Sequence, residues 1–295
     1  MSALREVLVV GATGQQGGAV ARCLLDRGHR VRVLVRTPEA PAARELERLG
    51  ARLAPGNLED PSSLVRAMAG ADAVFGVTTP FQGLAAEVAH GLALVDAARE
   101  AGVAHFVFTS ACNADRGTGI PSFENKRRVE EHLVRSGVPF TIVAPVYFLE
   151  NLLTPFSLAG LRAGTFSRWM SVERSVQYIA VEDIGRFSAL ALERREPFLG
   201  HRIDLAGDEL DGTRGAEILS RELGRPIQPV ELSLSSFPAQ GALGQNVAAI
   251  LSWMAHTGFS ADITTLHREY PDIGWHSFEA WVRAHREALT RAPST

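Results

Sequence analysis

The segment Leu4–Arg36, LREVLVVGATGQQGGAVARCLLDRGHRVRVLVR, constrains the fold more tightly than any other part of the chain. Val7–Val10 is a short, β-branched apolar run of the kind that forms a strand buried on both faces. GATGQQG follows without a linker. Gly18–Asp26 then carries a helical period that stops at Arg27-Gly28, and Val31–Val35 reads as a second strand. The outcome is one βαβ unit with Gly11, Gly14 and Gly17 in its first turn. Glycine there permits a tight turn and a close approach of backbone to a pyrophosphate, which the free N–H groups and positive end of the helix receive. A glycine triplet alone says little in a chain with 27 glycines. Strand, helix and second strand on schedule turn it into a dinucleotide site.

The alternation continues along the chain. Helices are expected at Pro41–Leu49, Ser62–Met68, Leu84–Glu100 and Phe123–Arg135, with Asp60 capping the second of them and Pro61 in its first turn. Strands are expected at Ala51–Ala54, Ala73–Val77, His105–Thr109 and Phe140–Ala144. Six strands alternating with helices predict the α/β class, as a doubly wound parallel sheet with right-handed crossovers. Ligands of such sheets bind outside the carboxyl ends of the strands. Beyond Pro145 the pattern loosens to a helix at Asn151–Leu161 and irregular structure over Thr165–Tyr178. A helix at Val181–Leu192 and a strand at His201–Leu205 return to the earlier style. Helices at Thr213–Leu223, Val247–His256 and Phe278–Ala288 follow, with a strand at Ile227–Glu231 and Ser277 as an N-cap. This divides the chain into a dinucleotide-binding domain, 1–150 plus about 175–206, and a smaller, mostly helical lobe for substrate or partner, 151–174 plus about 207–295.

Composition narrows the partners. A hydrophobic content of 46% over 295 residues supports a packed core, and a formal net charge of −3 gives no case for nucleic acid or anionic membrane. No apolar run approaches the ~20 residues of a membrane span, and the first strand begins too early for a signal peptide. Cys23 and Cys112 are too few and too isolated for a disulfide framework or a zinc site, with Cys23 expected as a small core residue. No other cluster has metal-ligand spacing, so the reading is a cytoplasmic protein of a reducing compartment without a metal. Of 30 basic residues, Lys126 is the one lysine. An ammonium can shift and titrate where a guanidinium cannot, which singles that position out.

Candidate residues sit at the strand ends. Arg36 ends the second strand, and no acid occupies positions 35–37. A cation there accommodates the 2′-phosphate of NADP, whereas an acid would select NAD, so NADP(H) is preferred over NAD(H). The competing reading is a solvated surface arginine, with Glu39 close by. Asn57 and Leu58, after the third strand, frame an adenine or form an ordinary turn. Thr78, Thr79 and Pro80 line the path of the diphosphate and nicotinamide ribose by position. Lys126, in PSFENKRRVEE, either holds the ribose hydroxyls and moves a proton or is a solvated lysine in a charged stretch. Tyr147 and Asn151 follow the sixth strand, where Tyr147 meets nicotinamide or substrate or is simply core. A short-chain dehydrogenase carries Tyr four residues before its Lys as general acid; Ser122 stands there instead. No glycine-rich elbow surrounds a nucleophilic serine.

GATGQQG, Arg36, GNLED, FENKRRVEEHL, SGVPFTIVAPVYFLENL and YIAVEDIGRF, in this order and spacing, resemble the NmrA-like family over residues 5–288. That family comprises atypical short-chain dehydrogenase/reductases and includes a redox-sensor branch. The resemblance implies a Rossmann domain preferring NADP(H), with a small lobe forming a cleft over the nicotinamide. It implies that Gly11, Thr13, Gly14, Gln15, Gln16 and Gly17 bind the pyrophosphate and Arg36 the 2′-phosphate. Asn57 and Leu58 then take the adenine, Thr78, Thr79 and Pro80 the linking riboses, and Lys126, Tyr147 and Asn151 the nicotinamide end. Its members are either reductases of carbonyls, quinones or activated double bonds or non-catalytic readers of the NADPH/NADP ratio. The partner is accordingly a small-molecule substrate or a regulatory protein, and a homodimer is compatible with either. Lys126, with Tyr147 or a water, is the expected source of the proton.

Overall fold

The computed structural model describes Glu6–Arg291; Leu4 and Arg5 of the opening segment lie outside the described residues. The chain begins β1 Glu6–Val9, α1 Gln15–Asp26, β2 Arg30–Val35, α2 Pro41–Arg48, β3 Arg52–Pro55, α3 Pro61–Met68 and β4 Ala73–Val77. It continues α4 Leu84–Glu100, β5 His105–Thr109, α5 Pro121–Ser136, β6 Phe140–Pro145, β7 Tyr147–Phe148, α6 Pro155–Arg162, β8 Thr165–Arg168 and β9 Val176–Ile179. The remainder is α7 Val181–Glu193, β10 Arg202–Leu205, β11 Asp208–Leu210, α8 Gly212–Leu223, β12 Gln228–Glu231, α9 Gly241–His256, α10 Ile263–Glu269, α11 Phe278–Ala284 and α12 Arg286–Thr290.

Two compact units emerge. The first takes the chain up to Ala144 together with Ile184–Asp204, and the second takes Pro145–Asp183 with the chain from Leu205 on. The main sheet has the order β10-β6-β5-β4-β1-β2-β3, with β1 parallel to both β2 and β4. Strand order therefore reverses between β1 and β4, the switch point at which a crevice opens beyond the strand ends in a doubly wound sheet. The apolar run predicted for the first strand explains its placement: Val7, Leu8 and Val9 are fully buried, as a central parallel strand must be. The neighbouring strands are held by close packing. A Cβ at Gly76 would lie 2.6 Å from the Phe106 ring, which stacks on Phe108 at 6.4 Å. Asp60 caps α3 as expected, its carboxylate accepting the Ser63 N–H.

The second unit is mostly helical, around a three-stranded sheet in the order β11-β9-β7 and a parallel β8–β12 pair. Phe166, Tyr178, Phe278 and Trp281 lie in its apolar core. Two expected helices are interrupted. Pro155 forces Thr154 into the extended region (φ −66°, ψ 151°), so the segment expected as one helix is a 3₁₀ stretch, Leu149–Leu153, followed by α6. The last helix breaks at His285 into α11 and α12. Cys23, expected in the core, is only partly buried, and burial still raises its thiol above the usual range. No described helix is long and apolar enough to cross a membrane. No group of three or more His, Cys, Asp or Glu among the described residues could hold a metal ion.

Candidate functional site

In the first unit, the turn after β1 is built for backbone rather than side chains. Gly11 has φ +71°, and a Cβ on it would lie 2.4 Å from Val77 Cγ1. A Cβ on Gly17 would lie 2.4 Å from the Gly11 carbonyl oxygen, so α1 rests directly on the turn. Gly14 is the N-cap of α1, with no side-chain cap and no acid in the first turn. The first-turn N–H groups and the helix dipole are thereby left for an anion. Thr13, Gly14 and Gln15 are exposed there. Gln16 is fixed by Thr109, whose hydroxyl donates to Gln16 Oε1 at 2.7 Å, tying the start of α1 to the end of β5. Just past the same strand end, the Ser110 hydroxyl donates to Glu130, which the Arg202 guanidinium also holds at 3.1 Å.

Arg36 is exposed at the end of β2 and has no carboxylate within ion-pair distance among the described residues. Asn57 stands in a self-closed turn. Its N–H donates to Ser63 Oγ at 3.0 Å, and its Oδ1 accepts the Glu59 N–H at 2.8 Å. That bond orients the amide and leaves Nδ2 as a donor, which can meet a ring nitrogen of adenine. Leu58 packs against the core of this unit. Thr78 is buried at the end of β4, Thr79 is exposed, and Pro80 begins a 3₁₀ turn, Pro80–Gln82.

Lys126 is not a solvated lysine. It projects from α5 with only 9% of its surface exposed, and its Nζ donates to the Thr78 carbonyl at 2.6 Å and the Thr78 hydroxyl at 3.0 Å. The carboxylate of Glu87, itself fully buried on α4, completes an ion pair at 3.2 Å. Burial pushes the ammonium below its usual range, and the Glu87 charge opposes that shift. Asn125, the residue before Lys126, donates from Nδ2 to Glu87 at 3.2 Å and to the Leu84 carbonyl at 2.7 Å. The structure thus brings Lys126 and Thr78 together. Two ammonium hydrogens go to Thr78, and the charge is matched by the Glu87 carboxylate.

Tyr147 and Asn151 meet in the second unit. They line a pocket of about 610 Å³, counting space open to solvent, whose wall includes Trp169, Met170, Leu251 and Met254. Burial raises the Tyr147 phenol to about 12; the ionisable Tyr178 phenol adds to the rise, while the charge of Arg168 and a hydrogen bond with Asn151 oppose it. Its hydroxyl therefore stays protonated through neutral pH and remains a donor. The Tyr178 ring lies edge-on to Tyr147 at 6.0 Å. Phe156 stacks on Trp169 at 5.5 Å, so the wall presents aromatic faces.

Glu87, Arg168 and Tyr178 were not foreseen from the sequence. Glu87 has no local signal because its partner lies on another helix. Arg168 is hidden among 29 arginines, and Tyr178 sits in a segment that reads as irregular.

Comparison with known proteins agrees with this architecture. The model of the NmrA-like family matches residues 4–272. An NAD(P)H azoreductase of Xenophilus azovorans is 35% identical over 77% of this chain and 77% of its own length. A (4-alkanoyl-5-oxo-2,5-dihydrofuran-3-yl)methyl phosphate reductase of Streptomyces griseus is 32% identical over 96% of this chain and 99% of its own. The fold is shared with an NADPH-dependent quinone oxidoreductase of Escherichia coli solved with NADPH, with a TM-score of 0.80, 23% identity, and coverage of 95% and 99% of the two chains. With a family match across most of its length and the expected doubly wound sheet, the chain belongs to the NmrA-like family.

Proposed function

We propose that this chain is an NADPH-dependent reductase of a small, largely apolar carbonyl, quinone or activated double-bond compound. One observation carries this reading. The second unit holds a pocket with an aromatic and apolar wall, lined also by a phenol and an amide, Tyr147 and Asn151. The relatives support it, being named for reduction of azo compounds and of a dihydrofuranone phosphate.

The glycine turn fits a dinucleotide, since side chains are excluded at Gly11 and Gly17 where a pyrophosphate would approach. Thr13, Gln15 and Gln16 would hold it with backbone N–H groups, while Gly14, whose N–H donates to the Gly11 carbonyl at 2.9 Å, would leave it room; Arg36 would take the 2′-phosphate, and Asn57 and Leu58 the adenine. Bound NADPH supplies the hydride. Lys126 acts as a positioning residue, fixing the backbone and hydroxyl of Thr78 so that Thr78, Thr79 and Pro80 present a set surface to the ribose. Tyr147, held by Asn151, donates the proton to the reduced substrate. The phenol is protonated at neutral pH, and its raised pKa makes it an acid only toward a strongly basic oxyanion of the kind hydride addition creates.

A second reading, a non-catalytic NADP(H) sensor acting through a partner protein, is favoured by Ser122 at the position of the usual tyrosine. The readings separate in an assay of NADPH oxidation with quinones, enones and aldehydes. The reductase reading expects turnover that Tyr147→Phe lowers by about 10²-fold or more. No oxidation with any compound, with a partner captured only in the presence of NADP(H), would establish the sensor instead.

A further inference from the structure

The pocket of the second unit contains a charge that the protein leaves without a counter-ion. Arg168, at the end of β8, is only 6% exposed and lines the pocket. Its guanidinium donates to backbone carbonyls alone, Arg174 at 2.8 Å and Val172 at 3.4 Å, and no carboxylate lies within ion-pair distance among the described residues. Arg174, on the adjoining loop, is also stapled to carbonyls, those of Met254 and Thr257. Asp208, the acid whose charge acts on Tyr178, has its two carboxylate oxygens occupied by the N–H groups of Glu209 and Phe278. A buried guanidinium is costly when its charge is unmatched, and an oxyanion is its natural complement in geometry and sign. The fixed position of Arg168 is enforced by close packing: a Cβ on Gly212 would come within 2.7 Å of its Nη1.

We propose that the pocket takes a ligand with an aromatic or apolar body and one oxyanionic group, the anion set against Arg168 and the body against Trp169 and Met254. This rests on the reading of the pocket as the substrate site and narrows the class of substrate: a carbonyl, quinone or activated double-bond compound that also carries an acid group. Tyr147 and Tyr178 supply hydroxyl donors on the same wall. Carboxylate, sulfonate and phosphate monoester share the recognised chemistry.

The test is a titration of the full chain with 2-naphthoate and with its neutral isostere 2-naphthamide, without nucleotide, read by tryptophan fluorescence and by melting temperature. The expected result is binding of 2-naphthoate at least about tenfold tighter than 2-naphthamide, with the preference lost in Arg168→Gln and partly kept in Arg168→Lys. Leu251→Trp, which fills the pocket, should abolish binding of both. Should Arg168→Gln not melt cooperatively, the wild-type pair and Arg168→Lys decide alone. Equal affinity for acid and amide overturns the proposal, as does a preference that survives unchanged in a folded Arg168→Gln protein. Because no nucleotide is present, absence of NADPH oxidation would sink the reductase reading while leaving this one standing. A neutral-ligand preference with active turnover would do the reverse.

Discussion

The ammonium of Lys126 donates to the carbonyl and the hydroxyl of Thr78, just past the end of β4, and forms an ion pair at 3.2 Å with the Glu87 carboxylate of α4. Each partner is buried, so the pair is coupled through a low-dielectric interior, where removing one charge strands the other. Lys126→Met should destabilise the protein by roughly 3–5 kcal/mol in urea unfolding, and adding Glu87→Gln should recover most of that loss. Additive losses in the double variant would show that the pair is not coupled. The same pair sets the activity experiment: turnover of Lys126→Met/Glu87→Gln reports on positioning of Thr78 without a stranded carboxylate. That Lys126 matters was legible in the sequence, since it is the one lysine in the chain. Its burial was not, because a charged stretch such as ENKRRVEE looks solvated until α4 is packed against it.

Among the elements, the β1–α1 turn was the most legible, because glycine spacing and helical period both act locally. The structure adds the reason for Gly11 and Gly17. At Gly17 any side chain would strike the backbone of Gly11, so Gly17→Ala should lower stability by about 1–3 kcal/mol and sharply weaken NADPH binding, measured by melting and by nucleotide fluorescence. A melting temperature and affinity equal to wild type would show that the turn has slack. Elements of the second unit were less legible. Thr154-Pro155 lies inside an apolar helical period and breaks it, and α10 was not expected at all. In that unit short segments are decided by tertiary packing, as with β8, where Phe166 and Arg168 share the buried face.

Across the whole molecule, the alternation of strands and helices made the seven-stranded sheet readable, whereas the interior polar contacts were invisible. His105, in the central strand β5, shows the difference. The Thr141 hydroxyl donates to the Phe198 carbonyl at 2.8 Å and so accepts from His105 Nε2, leaving Nδ1 buried without a hydrogen-bond partner. Protonation there would bury a charge, and burial lowers the imidazole to about 4 from 6.5. Above pH 6.5 the ring is neutral in both folded and unfolded chains. Between 6.5 and about 4 the unfolded chain takes a proton that the folded one refuses, so stability falls as pH drops through that window, by up to roughly 3 kcal/mol. Urea unfolding against pH should show this slope, and His105→Gln should flatten it; an unchanged slope in the variant would assign it to other groups. Whether the first unit prefers NADP(H) is read by titrating wild type and Arg36→Ala with NADPH and NADH. Wild type should bind NADPH at least about tenfold tighter than NADH, and Arg36→Ala should lose that preference. Equal affinity of the wild-type protein for the two nucleotides would contradict it.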